Sequence, residues 1–180
     1  MRKLTHPELL ERQKGRRQEP KLPLSILLND IRSLYNVGSI FRTADGIGVE
    51  KIWICGITGF PPDPQISKTA LGAEEEVPWE YRKEACSVLR ELKAKGYQIV
   101  FLEQVAGSMP YQEYEPAPPV CLVVGNETMG VSGELLGLCD RTIEIDMAGL
   151  KNSLNVAVAL GVVGFYLKDR LGKLAAQKGM

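Results

Sequence analysis

Arg42 stands six residues after Asn36 in the stretch YNVGSIFRTADGIG, between the apolar runs LSILL and KIWICG. A guanidinium fork at that point could hold a phosphate through two parallel hydrogen bonds. A surface arginine paired with Asp45 or another carboxylate is the plainer alternative. Asn36 suits the N-cap of the helix that follows, a role compatible with substrate contact. In VVGNETMG, Gly125 and Gly130 bracket Asn126 and Glu127 just after an apolar run, which permits a tight turn that gathers polar groups in one place. A carboxylate directly after a buried strand needs a partner or a task, and Arg42 could be that partner. In GLKNSLNVAVAL, Ser153 is a natural N-cap and Asn155 falls in the first turn beside unpaired helical amides. Capping accounts for Ser153 and leaves Asn155 less well explained.

The elements that must hold these residues can be read from periodicity. Short β-type runs lie at 24–28, 51–56, 97–103, 120–125 and 141–146, several of them apolar on both faces as in a parallel sheet. Helical patterns lie between them, at about 36–48, at about 84–95 with Gly96 as terminator, and in SGELLGLC with Ser132 as cap. The last pattern, about 153–171, is apolar nearly all round, so that helix must be buried in the core or against another subunit. Alternation of strand and helix predicts an α/β fold with a mostly parallel sheet and helices on both faces. Ligands of such sheets gather at the carboxyl ends of the strands, where the three polar loops fall.

Composition narrows the chemistry. With 180 residues and 44% apolar content the chain can bury one core, and it reads as a basic arm over 1–22 followed by a single domain over 23–180. No apolar run reaches the roughly 20 residues of a membrane span and the N-terminus lacks a secretion signal, so a soluble, cytoplasmic protein is expected. Cys55, Cys86, Cys121 and Cys139 show no C-x-x-C spacing and read as buried free thiols. A single histidine, His6, excludes a histidine metal cluster within one chain and argues against a Ser-His-Asp triad, so no metal is expected. Twenty-two basic residues balance 22 acidic ones, yet Arg2, Lys3, Arg12, Lys14, Arg16, Arg17 and Lys21 outnumber Glu8, Glu11 and Glu19 at the start, and Lys168, Arg170, Lys173 and Lys178 close the chain. A solvated terminus and an RNA contact explain the arm equally.

Familiar nucleotide motifs are missing. ADGIGVEKI lacks the third glycine of G-x-G-x-x-G and precedes its apolar run, and no Lys-Ser or Lys-Thr follows GNETMG.

Taken in order, the three loops resemble the three motifs of the SpoU (TrmH) family of RNA 2'-O-ribose methyltransferases, in the SPOUT superfamily. The first motif falls on Asn36 and Arg42, the second on Gly125, Glu127 and Gly130, and the third on Ser153, Leu154, Asn155 and Val156. One departure is Asp146 between Ile145 and Met147, where members often carry proline.

The resemblance, and not periodicity, implies a deep C-terminal trefoil knot, a homodimer, and S-adenosylmethionine held by backbone groups around Leu102, Gly125, Ile145, Met147, Ser153 and Leu154. It places Arg42 at the target ribose and its phosphate, with Asn36, Glu127 and Asn155 orienting Arg42 and the nucleotide. The expected reaction is methyl transfer to a ribose 2'-hydroxyl of RNA, with tRNA favoured over rRNA because no large RNA-binding domain is appended. A non-catalytic RNA-binding protein on the same fold and a nicotinamide-dependent oxidoreductase are the competing readings.

Overall fold

The structure, a computed structural model, describes residues 1–16 and 20–177. Arg17, Glu19 and Lys178, counted above among the terminal charges, lie outside the described residues. In chain order the elements are α1 (His6–Arg16), β1 (Leu22–Asn29), α2 (Leu34–Ile47), β2 (Val49–Cys55), α3 (Pro64–Ala70), α4 (Ala73–Glu76), β3 (Trp79–Arg82), α5 (Ala85–Ala94), β4 (Gln98–Leu102), β5 (Met109–Pro110), β6 (Val120–Val124), α6 (Gly133–Leu136), β7 (Arg141–Glu144) and α7 (Val156–Gln177).

The strands form one seven-stranded sheet, in order β3-β2-β1-β6-β4-β7-β5, and every neighbouring pair is parallel. Side chains alternate across it as the pleat requires. Leu24, Ile26 and Leu28 of β1 meet α2, α3 and α7 on one face, while Leu27 faces Val88, Leu89 and Leu92 of α5 on the other. Helices therefore cover both faces, as the alternation of runs predicts.

Two edge strands, β3 and β5, escape the sequence reading, as do α3 and α4. α1 also lies inside the arm that reads as a polar terminus. Its start was legible: the Thr5 amide donates to the Glu8 carboxylate at 2.7 Å, three residues on, with Pro7 in the first turn. α3 packs closely on α2 because Gly38 has no side chain; a Cβ there would overlap Thr69 and the Ile66 carbonyl.

Within the chain, α7 is buried along one face only, so the core accounts for part of its apolar surface. Leu160, Val163, Gly164, Leu167 and Leu171 are buried, while Val158 and Phe165 are each 52% exposed. Cys55 and Cys121 are buried thiols, and Cys86 and Cys139 are half-buried and also free. Among the described residues, no helix is long and apolar enough to cross a membrane.

Candidate active site

β1 ends at Asn29, and the chain turns sharply through Asp30 at φ 57°. The turn is fastened from the β2 side: Asp30 Oδ1 accepts from the Ile57 amide at 2.9 Å, and Thr58 Oγ1 accepts from the Ile31 amide at 2.9 Å. Two residues later Ser33 caps α2 by accepting from the Asn36 amide at 3.3 Å. Asn36 is thus not the cap expected from its type. It sits in the first turn, which frees its side chain.

The β6 exit docks onto this start. Asn126 Oδ1 accepts from the Thr128 and Met129 amides at 2.9 Å each, and its Nδ2 donates to the Asp30 carbonyl at 2.8 Å. That turn aims Glu127 at α2. Glu127 Oε2 accepts from the Arg32 amide at 2.9 Å, and Oε1 accepts from the Ser33 amide at 3.2 Å and from Asn36 Nδ2 at 2.9 Å. The partner of Glu127 is therefore the N-terminus of α2, where orphan amides and the helix dipole favour an anion, and not Arg42.

The chain of amides continues. Since an ionised carboxylate only accepts, Asn36 must present its NH2 to Glu127, which turns its oxygen toward Asn155 Nδ2 at 3.0 Å. Asn155 then has its own oxygen left, and this caps α7 by accepting from the Ala157 and Val158 amides at 2.9 and 3.3 Å. The N-cap of α7 is Asn155, two residues beyond Ser153. Glu127, Asn36 and Asn155 so tie together the loops that follow β6, β1 and β7.

Burial works to raise the Glu127 carboxyl, but the Arg32 amide, the Asn36 amide group and the Ser33 amide outweigh it and hold it below its ordinary 4.5. A lowered carboxylate contributes its stability in full above that ordinary value and loses it as pH falls below 4.5 through the folded value. The melting temperature of the wild type should accordingly exceed that of Glu127→Gln most at neutral pH, and the gap should narrow once pH drops below 4.5, as thermal unfolding at a series of pH values would show.

Beside this network lies a cavity of about 390 Å³, within the range of small-ligand sites. Leu102, Gly125, Ile145, Met147, Ser153 and Leu154 all line it, as do Glu127 and Asn155. Gly125 lets the turn after β6 close on itself, since a Cβ there would lie 2.7 Å from Val131 and 2.8 Å from the Gly130 backbone. Sequence reasoning missed Ser33, Glu103 and Glu144. Glu103 directly follows a buried strand, the same signal that singled out Glu127, and its Oε2 accepts from the Val131 amide at 3.0 Å to hold the far wall.

Charge says what the cavity suits. Among the described residues, Glu103, Glu127 and Glu144 line it and no lysine or arginine does. A pyrophosphate, as in a nicotinamide dinucleotide, would face carboxylates without a counter-ion, whereas S-adenosylmethionine brings a sulfonium and an ammonium. The residues fit the latter. Among the described residues no group of three or more histidine, cysteine or carboxylate side chains could hold a metal ion.

Arg42 lies outside this cavity. It is exposed, roughly 9 Å further along α2 than Asn36. Among the described residues its side chain makes no hydrogen bond or ion pair, so its expected contact with Asn36, Glu127 or Asn155 is not formed within this chain.

Known proteins are similar to this chain in sequence and fold. The SpoU rRNA Methylase family model matches residues 23–165. A tRNA (guanosine(18)-2'-O)-methyltransferase of Thermus thermophilus is 31% identical over 150 residues, covering 83% of this chain and 75% of that protein. The crystal structure of the A. aeolicus TrmH/SpoU tRNA modifying enzyme superposes with a TM-score of 0.81 at 28% identity, over 96% of this chain and 85% of that one. An AdoMet-bound rRNA methyltransferase of Sinorhizobium meliloti superposes with a TM-score of 0.78 at 30% identity, over 86% of this chain and 58% of that one. This chain spans 58% and 75% of the length of two curated relatives it matches. Because the family model spans residues 23–165, most of its length, the chain belongs to the SpoU (TrmH) family of S-adenosylmethionine-dependent RNA methyltransferases.

Proposed function

We propose that this chain methylates a ribose 2'-hydroxyl of tRNA, with Leu102, Gly125, Ile145, Met147, Ser153 and Leu154 holding S-adenosylmethionine and Arg42 acting at the target nucleotide. The observation that carries this reading is the link from Glu127 through Asn36 to Asn155, which fastens the loop leading to Arg42 onto the wall of the cavity. S-adenosylmethionine supplies an electrophilic methyl group; the residues of the chain align the nucleophile and help it lose a proton. Glu127 is an anchor and not the base, because both its oxygens already accept hydrogen bonds from the Arg32 amide, the Ser33 amide and Asn36. Arg42 is too basic to take the proton freely, so it grips the nucleotide's phosphate and stabilises negative charge growing on the ribose oxygen, while a phosphate oxygen accepts the proton.

Pairing of two copies belongs to the same proposal. Val158, Val162 and Phe165 are partly exposed at helical spacing along α7, and the stripe abuts α2, where Phe165 comes close to Gly46 and Gly161 to Thr43. A second copy covering that stripe would also place Arg42, next to Thr43, at the junction of the subunits. Substituting both Val162→Glu and Phe165→Glu should turn a dimer into a folded monomer in sedimentation velocity; a wild type that is already monomeric at micromolar concentration contradicts the pairing. The trefoil knot is proposed on the same footing. The segment between β7 and α7 is held by Gln104 Nε2 to the Asn152 carbonyl at 2.7 Å and by Asn155 to Asn36 at 3.0 Å, so the chain is fastened on both sides as it returns to the sheet.

The reaction is tested by incubating the protein and methyl-labelled S-adenosylmethionine with RNA from a strain lacking the gene, separated into tRNA and rRNA. Label in the tRNA fraction is the expected result. Label in rRNA alone would change the substrate, and none in either would contradict the activity.

A further inference from the structure

The strand order sets the cofactor cavity and one aromatic surface on opposite sides of the β1 exit. The cavity lies over the ends of β6, β4 and β7, whereas the loop after β2 carries Ile57 and Phe60, both exposed. Phe60 is 44% exposed with its ring braced against Tyr81, centroids 4.6 Å apart, and against Trp79 at 6.0 Å. Tyr35, adjacent to Asn36, is 45% exposed; its carbonyl accepts from Thr69 Oγ1 at 3.0 Å, and Lys68 Nζ sits 5.8 Å from its ring. The two segments belong to one surface, because Gly59 lies directly against Leu34. That surface is tied to the site: Asp30 holds the Ile57 amide, and the Tyr81 hydroxyl donates to the Gly56 carbonyl at 3.0 Å.

Exposed rings held in place by their neighbours are what unpaired bases stack on. Arg32, three residues before Tyr35, and Lys68, beside its ring, are exposed, and among the described residues neither side chain forms an ion pair. Such charges suit phosphates more than an apolar peptide. We propose that Tyr35 and Phe60 form a stacking ledge for an unpaired nucleotide next to the one methylated, with Arg32 and Lys68 on its phosphates. The ledge rests on the reading of the chain as an RNA methyltransferase and adds to it a demand that the target lie in a loop or other single-stranded stretch.

The test uses the full chain with S-adenosylmethionine and a short oligoadenylate carrying a fluorescent adenine analogue, either single-stranded or annealed to oligouridylate. The wild type should quench the single strand, and Tyr35→Ala and Phe60→Ala should each weaken its binding roughly tenfold. Tyr35→Phe and Phe60→Tyr should restore it, and the duplex should bind with little sensitivity to either alanine change. Affinity for S-adenosylmethionine should stay unchanged in all variants, which shows that they remain folded. The ledge is overturned if the double alanine variant binds the single strand as tightly as the wild type, or loses duplex binding equally. A wild type that methylates RNA alongside equally active ledge variants removes the ledge alone, whereas a wild type that methylates no RNA removes the reading beneath it.

Discussion

Replacing Arg42 by alanine is expected to lower the rate of methyl transfer by roughly a hundred- to a thousandfold, the effect of removing one donor that stabilises developing negative charge. Affinity for S-adenosylmethionine should not change, because Arg42 does not line the cavity. Stability should change by no more than about 0.5 kcal/mol, since the side chain is exposed and has no partner among the described residues. Arg42→Lys should recover only part of the activity, as an ammonium keeps the charge and loses the two-pronged grip on phosphate. Single-turnover transfer measured alongside calorimetric cofactor binding separates these effects. A structural arginine would give the reverse pattern, with a lower melting temperature and near-normal transfer.

Glu127→Gln is the second large effect, and it differs in kind. The new amide can still accept from Ser33 and Asn36 through one oxygen, but its NH2 then faces the Arg32 amide, donor against donor. Reversing it would set the NH2 against Asn36 instead. Either way the loop after β6 loses its register on α2, and with it the cavity wall that Glu127 and Asn155 share. Because the carboxylate keeps contact with solvent, the loss of stability should be modest, about 1 kcal/mol. Cofactor affinity and transfer should both fall, each by roughly tenfold or more, as when a supporting contact of a preorganised site is removed. Unchanged cofactor affinity in a variant with reduced transfer would show that Glu127 serves the RNA side only.

The central strands were legible because β1, β2, β4 and β6 are apolar on both faces, a pattern that little but a covered parallel sheet accounts for. β3 was not, since WEYR is only half-buried at an edge, and the two residues of β5 are a strand only through their pairing with β7. The residues named from the three loops, Arg42 apart, converge on one cavity, but their pairings were not legible. Glu127 lies 91 residues from Asn36, and nothing local distinguishes a helix N-terminus from Arg42 as its partner. The caps were misplaced where two capping types stand close together, Ser33 with Asn36 and Ser153 with Asn155, because either choice satisfies the same orphan amides. α7 reads as apolar all round because its sequence does not separate residues that pack on α2 and the sheet from those left open at Val158, Val162 and Phe165.

The position of the transferred methyl group tests the central claim most directly. RNA incubated with the protein and labelled S-adenosylmethionine should carry the label on a ribose, and the adjoining phosphodiester should resist alkaline cleavage because its 2'-hydroxyl is blocked. Nucleoside mass spectrometry should place the added mass on the sugar fragment, and the Arg42→Ala protein should leave both signals near background. A label on the base with the backbone still alkali-sensitive, or full ribose methylation by the Arg42→Ala protein, would contradict it.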